Sequence, residues 1–425
     1  MKFSKRLLVS SIALTTSLSA LATEPTDYDI FNQQFIEALE MRESGDVFSS
    51  IEMLEKLIDS QPQFKRAQLE LAVAYFRATL FSQAKSHAET VLSDPSTPPE
   101  VKETIELFLS QLADVEQAEA ENRHTFKGSI GLGIGHDTNI NASPTDSIIN
   151  INGIEFTLAT ASVAQEENYG AINLQLNHSY RVPGTFGIGS RPVKMEWNSA
   201  LGLSRKAYQD TGDYNLDVMT VVTGPNLISS TDWRAGVNLR ADHISLGDTQ
   251  LGLFTGLHAN YTLVDKANEY TVTAEVTNQE YNSTENKGRE GVRYGLGTEI
   301  QHQFSQELLA TAGLNYSTTD AKDENKQHTV KSINTGLYYS AWENALIYGQ
   351  LGYKTVDYDG VEPIYNIGRN DSEVSAIIGA TYSINSGYLA NWIINGRISR
   401  YNNTSDVSIY EYERTDAMLE LSKRF

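Results

Sequence analysis

From His124 to the end of the chain, apolar and polar residues alternate with a period of two, and no helical stretch interrupts them. "AINLQLNHSY" sets Ile172, Leu174, Leu176 and Tyr180 against Asn173, Gln175, Asn177 and Ser179. "VKMEWNSALGLS" sets Val193, Met195, Trp197, Leu201 and Leu203 against Lys194, Glu196, Asn198 and Ser204. "VSAIIGATYS" sets Val374, Ala376, Ile378 and Tyr382 against Ser375, Gly379, Thr381 and Ser383. A period of two is the signature of an amphipathic strand. The strands read as 126–138, 168–182, 192–208, 213–224, 232–244, 250–264, 268–281, 290–304, 307–319, 328–341, 344–357, 372–384, 387–401 and 411–425. That is about fourteen, an even number, and many exceed the ~5–6 residues usual in globular strands. Long strands in series suit a membrane barrel, apolar outward to lipid and polar inward to a lumen.

The connections agree. Long polar ones run from Asn139 to Glu167, Asn282 to Gly288, Asp320 to Lys326, Tyr358 to Asp371 and Asn402 to Tyr410. Between them lie short ones at Ser305-Gln306-Glu307, Trp342-Glu343 and Asn385-Ser386, with longer exceptions near Pro183–Arg191 and Pro225–Thr231. Long outer loops and short periplasmic turns are the asymmetry of such a barrel. The last strand, "AMLELSKRF", places Ala417, Leu419 and Leu421 on one face and ends at Phe425. A terminal aromatic of this kind resembles the signal read by the outer-membrane insertion machinery, so Leu419, Leu421 and Phe425 are assembly-signal candidates. Lys423 departs from that pattern and is expected at the periplasmic rim, where its stem can snorkel.

The stretch "GSIGLGIGHDTNINASP", Gly128–Pro144, admits three readings. A phosphate loop needs a helix to follow, or a lysine in position, and neither is present. A metal site fails because His136 and Asp137 are adjacent and face opposite ways on a strand. The third reading is a strand with Ile130, Leu132 and Ile134 outside and Gly131, Gly133 and Gly135 inside. The bare inner backbone either leaves room for a passing segment or eases curvature at closure. Asp137, Asn139 and Asn141 then mark the exit into the first surface loop.

The N-terminal part has a different period. From Tyr28 to about Asn122 it reads as helix, with two stretches aligned at the ~34-residue tetratricopeptide (TPR) spacing. Gly45, Ser50, Leu54, Leu57 and Pro62 mark the first, degenerate stretch; Leu71, Ala72, Tyr75, Ala84, Ala88 and Val91 mark the second. Pro98 and Pro99 open a further helix with Val101, Ile105, Phe108, Leu109 and Leu112 on one face. Such an array is either a spacer or a small concave surface that grips a polypeptide. Ahead of it, basic Met1–Arg6, apolar Leu7–Leu18 and Ala20-Leu21-Ala22 read as an export signal cleaved before Thr23. The domains are therefore 1–22 signal peptide, 23–123 periplasmic TPR-like helical domain and 124–425 outer-membrane barrel. The fold class is an α-helical domain followed by a transmembrane β-barrel.

A net charge of −21 speaks against nucleic acid. The absence of cysteine excludes disulfides, thiolate metal sites and Cys nucleophiles. The eight histidines form no H-E-x-x-H pair, and no cofactor is expected. His243 beside Asp242, and His136 beside Asp137, are the nearest approach to a hydrolytic pair, and strand neighbours cannot make one.

An exported short TPR-like array followed by about fourteen strands, the first a glycine-alternating one with an Asp-x-Asn-x-Asn turn, resembles the surface lipoprotein assembly modulator (Slam) family. The resemblance covers essentially all of the mature chain. It implies an outer-membrane barrel with a periplasmic TPR domain that moves a client, a lipoprotein or a soluble haem-binding protein, to the cell surface. It implies no catalytic residue. Client-contact candidates are Gly131, Gly133, Gly135, Asp137, Asn139 and Asn141 on the barrel and Tyr75, Ala84 and Ala88 on the array. Specificity is expected in the array or in outer loops Asn141–Glu167 and Tyr358–Asp371. Expected partners are the client, the bilayer and the insertion machinery. The alternative is a polysaccharide export porin with a periplasmic TPR scaffold, although the array is short and the expected inner faces carry modest charge.

Overall fold

A computed structural model describes residues 27–151, 153–188, 191–229 and 232–425. The expected signal segment and its cleavage point at Thr23 lie outside these residues.

The helical part has five helices: α1 Asp27–Glu43, α2 Val47–Ser60, α3 Lys65–Arg77, α4 Phe81–Ser93 and α5 Pro99–Glu121. The ~34-residue spacing is visible in the backbone. Gly45 sits in the left-handed region at φ 90°, and Thr79 repeats it at φ 56°. The same turn bond closes each hairpin, Asp46 N–H to Met41 O and Leu80 N–H to Tyr75 O. Ser50, Leu54 and Leu57 are buried in the first hairpin, and Ala84, Ala88 and Val91 in the second. Ser50 donates to the Ala38 carbonyl at 2.6 Å, which lets α1 and α2 approach closely. Threonine is strained where Gly45 is not, because a left-handed residue with a Cβ costs about 1–2 kcal/mol. Thr79→Gly is expected to raise the stability of the helical part by about 1 kcal/mol, after the entropy glycine loses on folding. Urea unfolding followed at 222 nm, with the barrel still folded in detergent, reads this. No gain would mean that Thr79 is not strained.

Fourteen strands close into one antiparallel barrel: β1 His124–Asp137, β2 Glu167–Arg181, β3 Arg191–Tyr208, β4 Leu216–Ser229, β5 Trp233–Leu246, β6 Thr249–Asp265, β7 Asn268–Tyr281, β8 Gly291–Gln303, β9 Leu308–Ala321, β10 His328–Trp342, β11 Ala345–Glu362, β12 Ile367–Ile384, β13 Trp392–Ser405 and β14 Tyr412–Arg424. Every strand pairs with its neighbours in sequence, and β1 pairs with β14 to complete the ring. The faces are those the alternation requires. Ile130, Leu132, Ile172, Leu176, Leu296, Leu314, Val374 and Leu419 stand exposed on the outer wall, as a lipid-facing wall demands. Outward Trp197, Tyr339, Trp342 and Tyr382 lie toward the short-turn end, and Tyr294 and Tyr316 toward the other, the pattern of interfacial aromatic girdles.

Several connections differ from the sequence expectation. The Tyr358–Asp371 loop is largely ladder, with β11 running to Glu362 and β12 starting at Ile367. The Asn385-Ser386 turn is longer, reaching Asn391 through left-handed Gly387 and Asn391. Pro225 lies inside β4, not in a turn. The β4–β5 ladder skips Gly224 and Pro225, so the missing proline N–H breaks no bond there. The first outer loop carries an unforeseen hairpin, Ile148–Ile151 with Ile154–Thr157. Gly247 and Asp248, with φ 58° and 59°, make a two-residue outer turn of the I′ kind that suits strand twist.

The helices sit at the short-turn end, beside the chain terminus. Thr185, in the β2–β3 turn, hydrogen-bonds the Ala78 carbonyl. A cavity of about 290 Å³ lies between the Thr79–Gln83 turn and Arg181–Gly184.

Candidate functional site

β1 and β14 share the shortest ladder of the ring, from Ser129 opposite Arg424 to Asp137 opposite Asp416. At its periplasmic end Phe425 exchanges two backbone bonds with Gly128, at 2.8 and 2.9 Å. A Cβ on Gly128 would lie 2.5 Å from the Phe425 ring, so glycine lets that ring lie flat over the β1 backbone and a larger residue would shift it. Leu419 and Leu421 face outward above it. Lys423 faces outward at this rim, 5.7 Å from the Trp392 ring centre.

On the inner side the three glycines are not equivalent. Tyr169 of β2 opposes Gly135, and a Cβ there would meet its Cζ at 2.3 Å. Gly131 faces the Glu420 carboxylate, its Cδ 2.9 Å from a built Cβ. Gly133 alone leaves ordinary space, with its nearest neighbour at 3.4 Å.

Asp137 ends this row, fully buried. Arg414 of β14 grips its two oxygens, Nε to Oδ1 at 3.0 Å and Nη2 to Oδ2 at 2.5 Å. Lys206 Nζ of β3 donates to Asp137 at 2.8 Å and to Asp416 at 2.7 Å. The Tyr208 hydroxyl donates to Asp137 at 2.8 Å, and the Tyr169 hydroxyl to Asp416 at 2.9 Å. Lys206 Nζ also lies 3.9 Å from the Tyr169 ring centre, a cation–π contact. Two carboxylates and two cations therefore clasp β1, β14 and β3 just beneath the outer loops. Charge-assisted bonds of this kind are short and strong, and the fork of arginine fixes their geometry.

The two asparagines hold the loop. Asn139, fully buried, donates to the carbonyls of Ser143 at 2.8 Å and Glu413 at 2.9 Å. Asn141 donates to Val163 O at 2.8 Å and accepts from Gln165 N–H at 3.1 Å. The Asp-x-Asn-x-Asn turn thus ties the first outer loop to itself and to β14. The loop hairpin reaches the last outer loop, where Ser408 Oγ donates to Asn150 O at 3.1 Å.

The remaining candidates lie in the helical core. Tyr75, Ala84 and Ala88 are all buried. Tyr75 stacks on His87 at 5.4 Å and hydrogen-bonds Glu55. Burial, then that bond, pushes the Tyr75 phenol above its ordinary value, and burial pulls the His87 imidazole down. These residues set helix spacing; the array surface is built around them.

The lumen wall is more charged than the alternating stretches suggest. Glu275 lies between His258 at 3.3 Å and Arg293 at 2.8 Å, and Lys354 meets Glu373 at 3.1 Å. Asp242 faces inward beside Arg240, while His243 faces out, so that pair makes no dyad. Among the described residues, no group of three or more metal-ligating side chains gathers.

Among solved structures, the chain is similar to an anion-selective porin from Comamonas acidovorans (8% identity, 71% of this chain, 99% of that one, TM-score 0.40). It is also similar to a bacterial polysaccharide outer membrane secretin (10%, 70%, 98%, 0.38) and a BenF-like porin from Pseudomonas fluorescens (8%, 72%, 99%, 0.36). A search of curated proteins finds no match. Residues 249–425, β6 to β14, match the family model described as surface lipoprotein assembly modifier. Over these strands the chain is similar to the surface lipoprotein assembly modifier family, and its barrel is an outer-membrane one.

Proposed function

We propose that this barrel moves one specific client, a lipoprotein or a soluble haem-binding-type protein, to the cell surface. The family match over β6–β14 carries the reading. The helical array, docked at the short-turn end, is the natural place to capture a client emerging in the periplasm. The barrel then passes it outward along the β1–β14 side, where Gly133 adds no side chain of its own to the inner wall. Asp137, Asn139 and Asn141 serve by holding the first outer loop in place, and that loop selects the client. Phe425, seated on Gly128, is the mark by which the insertion machinery takes up the chain. No bond is made or broken, so the protein acts as a transporter and not as an enzyme.

The test is a deletion followed by protease shaving and mass spectrometry of the cell surface. Loss of one lipoprotein or secreted protein, with exported polysaccharide intact, is the expected result and names the client. Loss of a polymer with no change in surface proteins would replace this reading with a polysaccharide export porin.

A further inference from the structure

The outer wall is hollowed across the β1–β14 seam. In register, Ile134 opposes Leu419 and His136 opposes Ala417. The same two rows continue through Gly396 and Ile398 to Ala380 and Ile378 on one side, and through Gly170 and Asn168 on the other. Small residues make the floor. A Cβ on Gly170 would meet nothing within 4 Å, and one on Gly396 only Leu419 Cδ1 at 3.9 Å. Ile134, Ile378 and Ile398, 68%, 62% and 53% exposed, stand up as walls. The groove measures about 1080 Å³, just above the ~300–1,000 Å³ typical of ligand sites.

Its outer end is polar but not basic. His136 Nδ1 meets Asn168 Oδ1 at 3.0 Å, and its Nε2 lies 4.0 Å from Glu166. Among the described residues that line the groove, the sole arginine or lysine is Arg397, whose register position points to the lumen. A phosphorylated lipid needs cations for its phosphates, and Glu166 would oppose them. An uncharged glyceryl group bearing two acyl chains fits: chains on the small-residue floor, ester oxygens beside His136 and Asn168.

We propose that this groove holds the diacylglyceryl anchor of a client lipoprotein in the outer leaflet, beside the seam. The proposal rests on the surface-transport reading above and gives it a lipid site. Among lipid tails an apolar wall has no hydrophobic preference for one chain over another, so selectivity comes from packing into the hollow and from the polar end.

The probe is a synthetic dipalmitoyl-glyceryl-cysteinyl peptide with a diazirine near the end of one acyl chain. Full-length protein in phosphatidylethanolamine vesicles is photolysed and the labelled residues are mapped. Labelling around Ile134, Gly396 and Ala417 should exceed that around Leu296 and Leu314, on the far wall, about fivefold, the worth of one hydrogen bond in lipid. Phosphatidylethanolamine carrying the same diazirine should label both walls evenly. Filling the floor with Gly170→Trp and Gly396→Trp, or with the milder Ala380→Leu, should remove the enrichment while the barrel stays folded by its heat-modifiable migration. Even labelling by the lipopeptide, or equal enrichment of phosphatidylethanolamine, overturns the proposal. In deletion cells, if wild type and filled variants restore a surface lipoprotein equally, the groove fails and the transport reading stands. If wild type restores no surface protein, the transport reading fails and takes the groove with it.

Discussion

Replacing Asp137 with alanine should lower the barrel's unfolding free energy by about 3–5 kcal/mol, the usual cost of removing one partner from a buried ion cluster. Asp137 is fully buried and accepts from Arg414, Lys206, Tyr208 and the Asn139 backbone. Without it Lys206 still reaches Asp416 at 2.7 Å, but Arg414 loses both bonds that its guanidinium makes to Asp137. Asp137→Asn keeps the shape, loses the charge, and should cost less. Glu413, which pairs with Arg400 at 2.9 Å with both side chains more than half exposed, is the control. Glu413→Ala should change stability by no more than about 1 kcal/mol. Urea titration in detergent, read by heat-modifiable migration, compares the three. A second readout follows from the Asn139 tie: in Asp137→Ala the first outer loop should become open to protease on intact cells. An Asp137→Ala barrel as stable as the Glu413→Ala one would mean that the clasp does not hold the seam.

Much of this was legible in the sequence, and the illegible part has a physical cause. Alternation fixes which way each side chain faces, so the outward Ile130-Leu132-Ile134 row and the inward glycines follow from period alone. The 34-residue spacing likewise leads to the paired turns at Gly45 and Thr79. What alternation does not fix is register between strands distant in sequence. Lys206, Arg414 and Asp416, together with Tyr169 and Tyr208, were not candidates, because the bonds that join them to Asp137 and to one another span up to 277 residues of chain. One signal could have found part of the clasp. If the terminal Phe425 is seated opposite Gly128, counting along both strands brings Asp137 opposite Asp416. Two carboxylates meeting on an inner wall demand cations, and the search would then turn to inward lysines and arginines on adjoining strands. Turn lengths failed for a related reason. Tyr358–Asp371 is polar enough for a loop, yet its ladder continues because Arg369 stacks over Tyr410 at 3.4 Å and pairs with Asp371 at 2.6 Å, contacts that sequence neighbours do not announce.

The inner glycines lead to the second large effect, and to a graded one. A methyl group on Gly135 would lie 2.3 Å from Tyr169 Cζ and 2.6 Å from the Ala417 carbonyl oxygen. The ring must leave, giving up its bond to Asp416 and its contact with Lys206. Overpacking costs about 1–3 kcal/mol and a lost bond to a charged group about 1.5–3, so Gly135→Ala should cost about 3 kcal/mol or more. Gly379 offers a cleaner version of the same seat, since all three atoms nearest its built Cβ belong to the Tyr348 side chain. Removing the ring should therefore separate the two sites. In double-mutant cycles, Tyr348→Ala should recover nearly all of the overpacking cost of Gly379→Ala. Tyr169→Ala should recover only part of that of Gly135→Ala, because the Ala417 carbonyl stays where it is. Gly133→Ala, with its nearest contact at 3.4 Å, should be close to neutral in stability. It is then the substitution that separates the two uses of a bare inner backbone. If the glycine serves only closure, surface display of the client survives Gly133→Ala and also Gly133→Leu. If a passing chain needs the space, display falls with side-chain size while the barrel's unfolding midpoint holds.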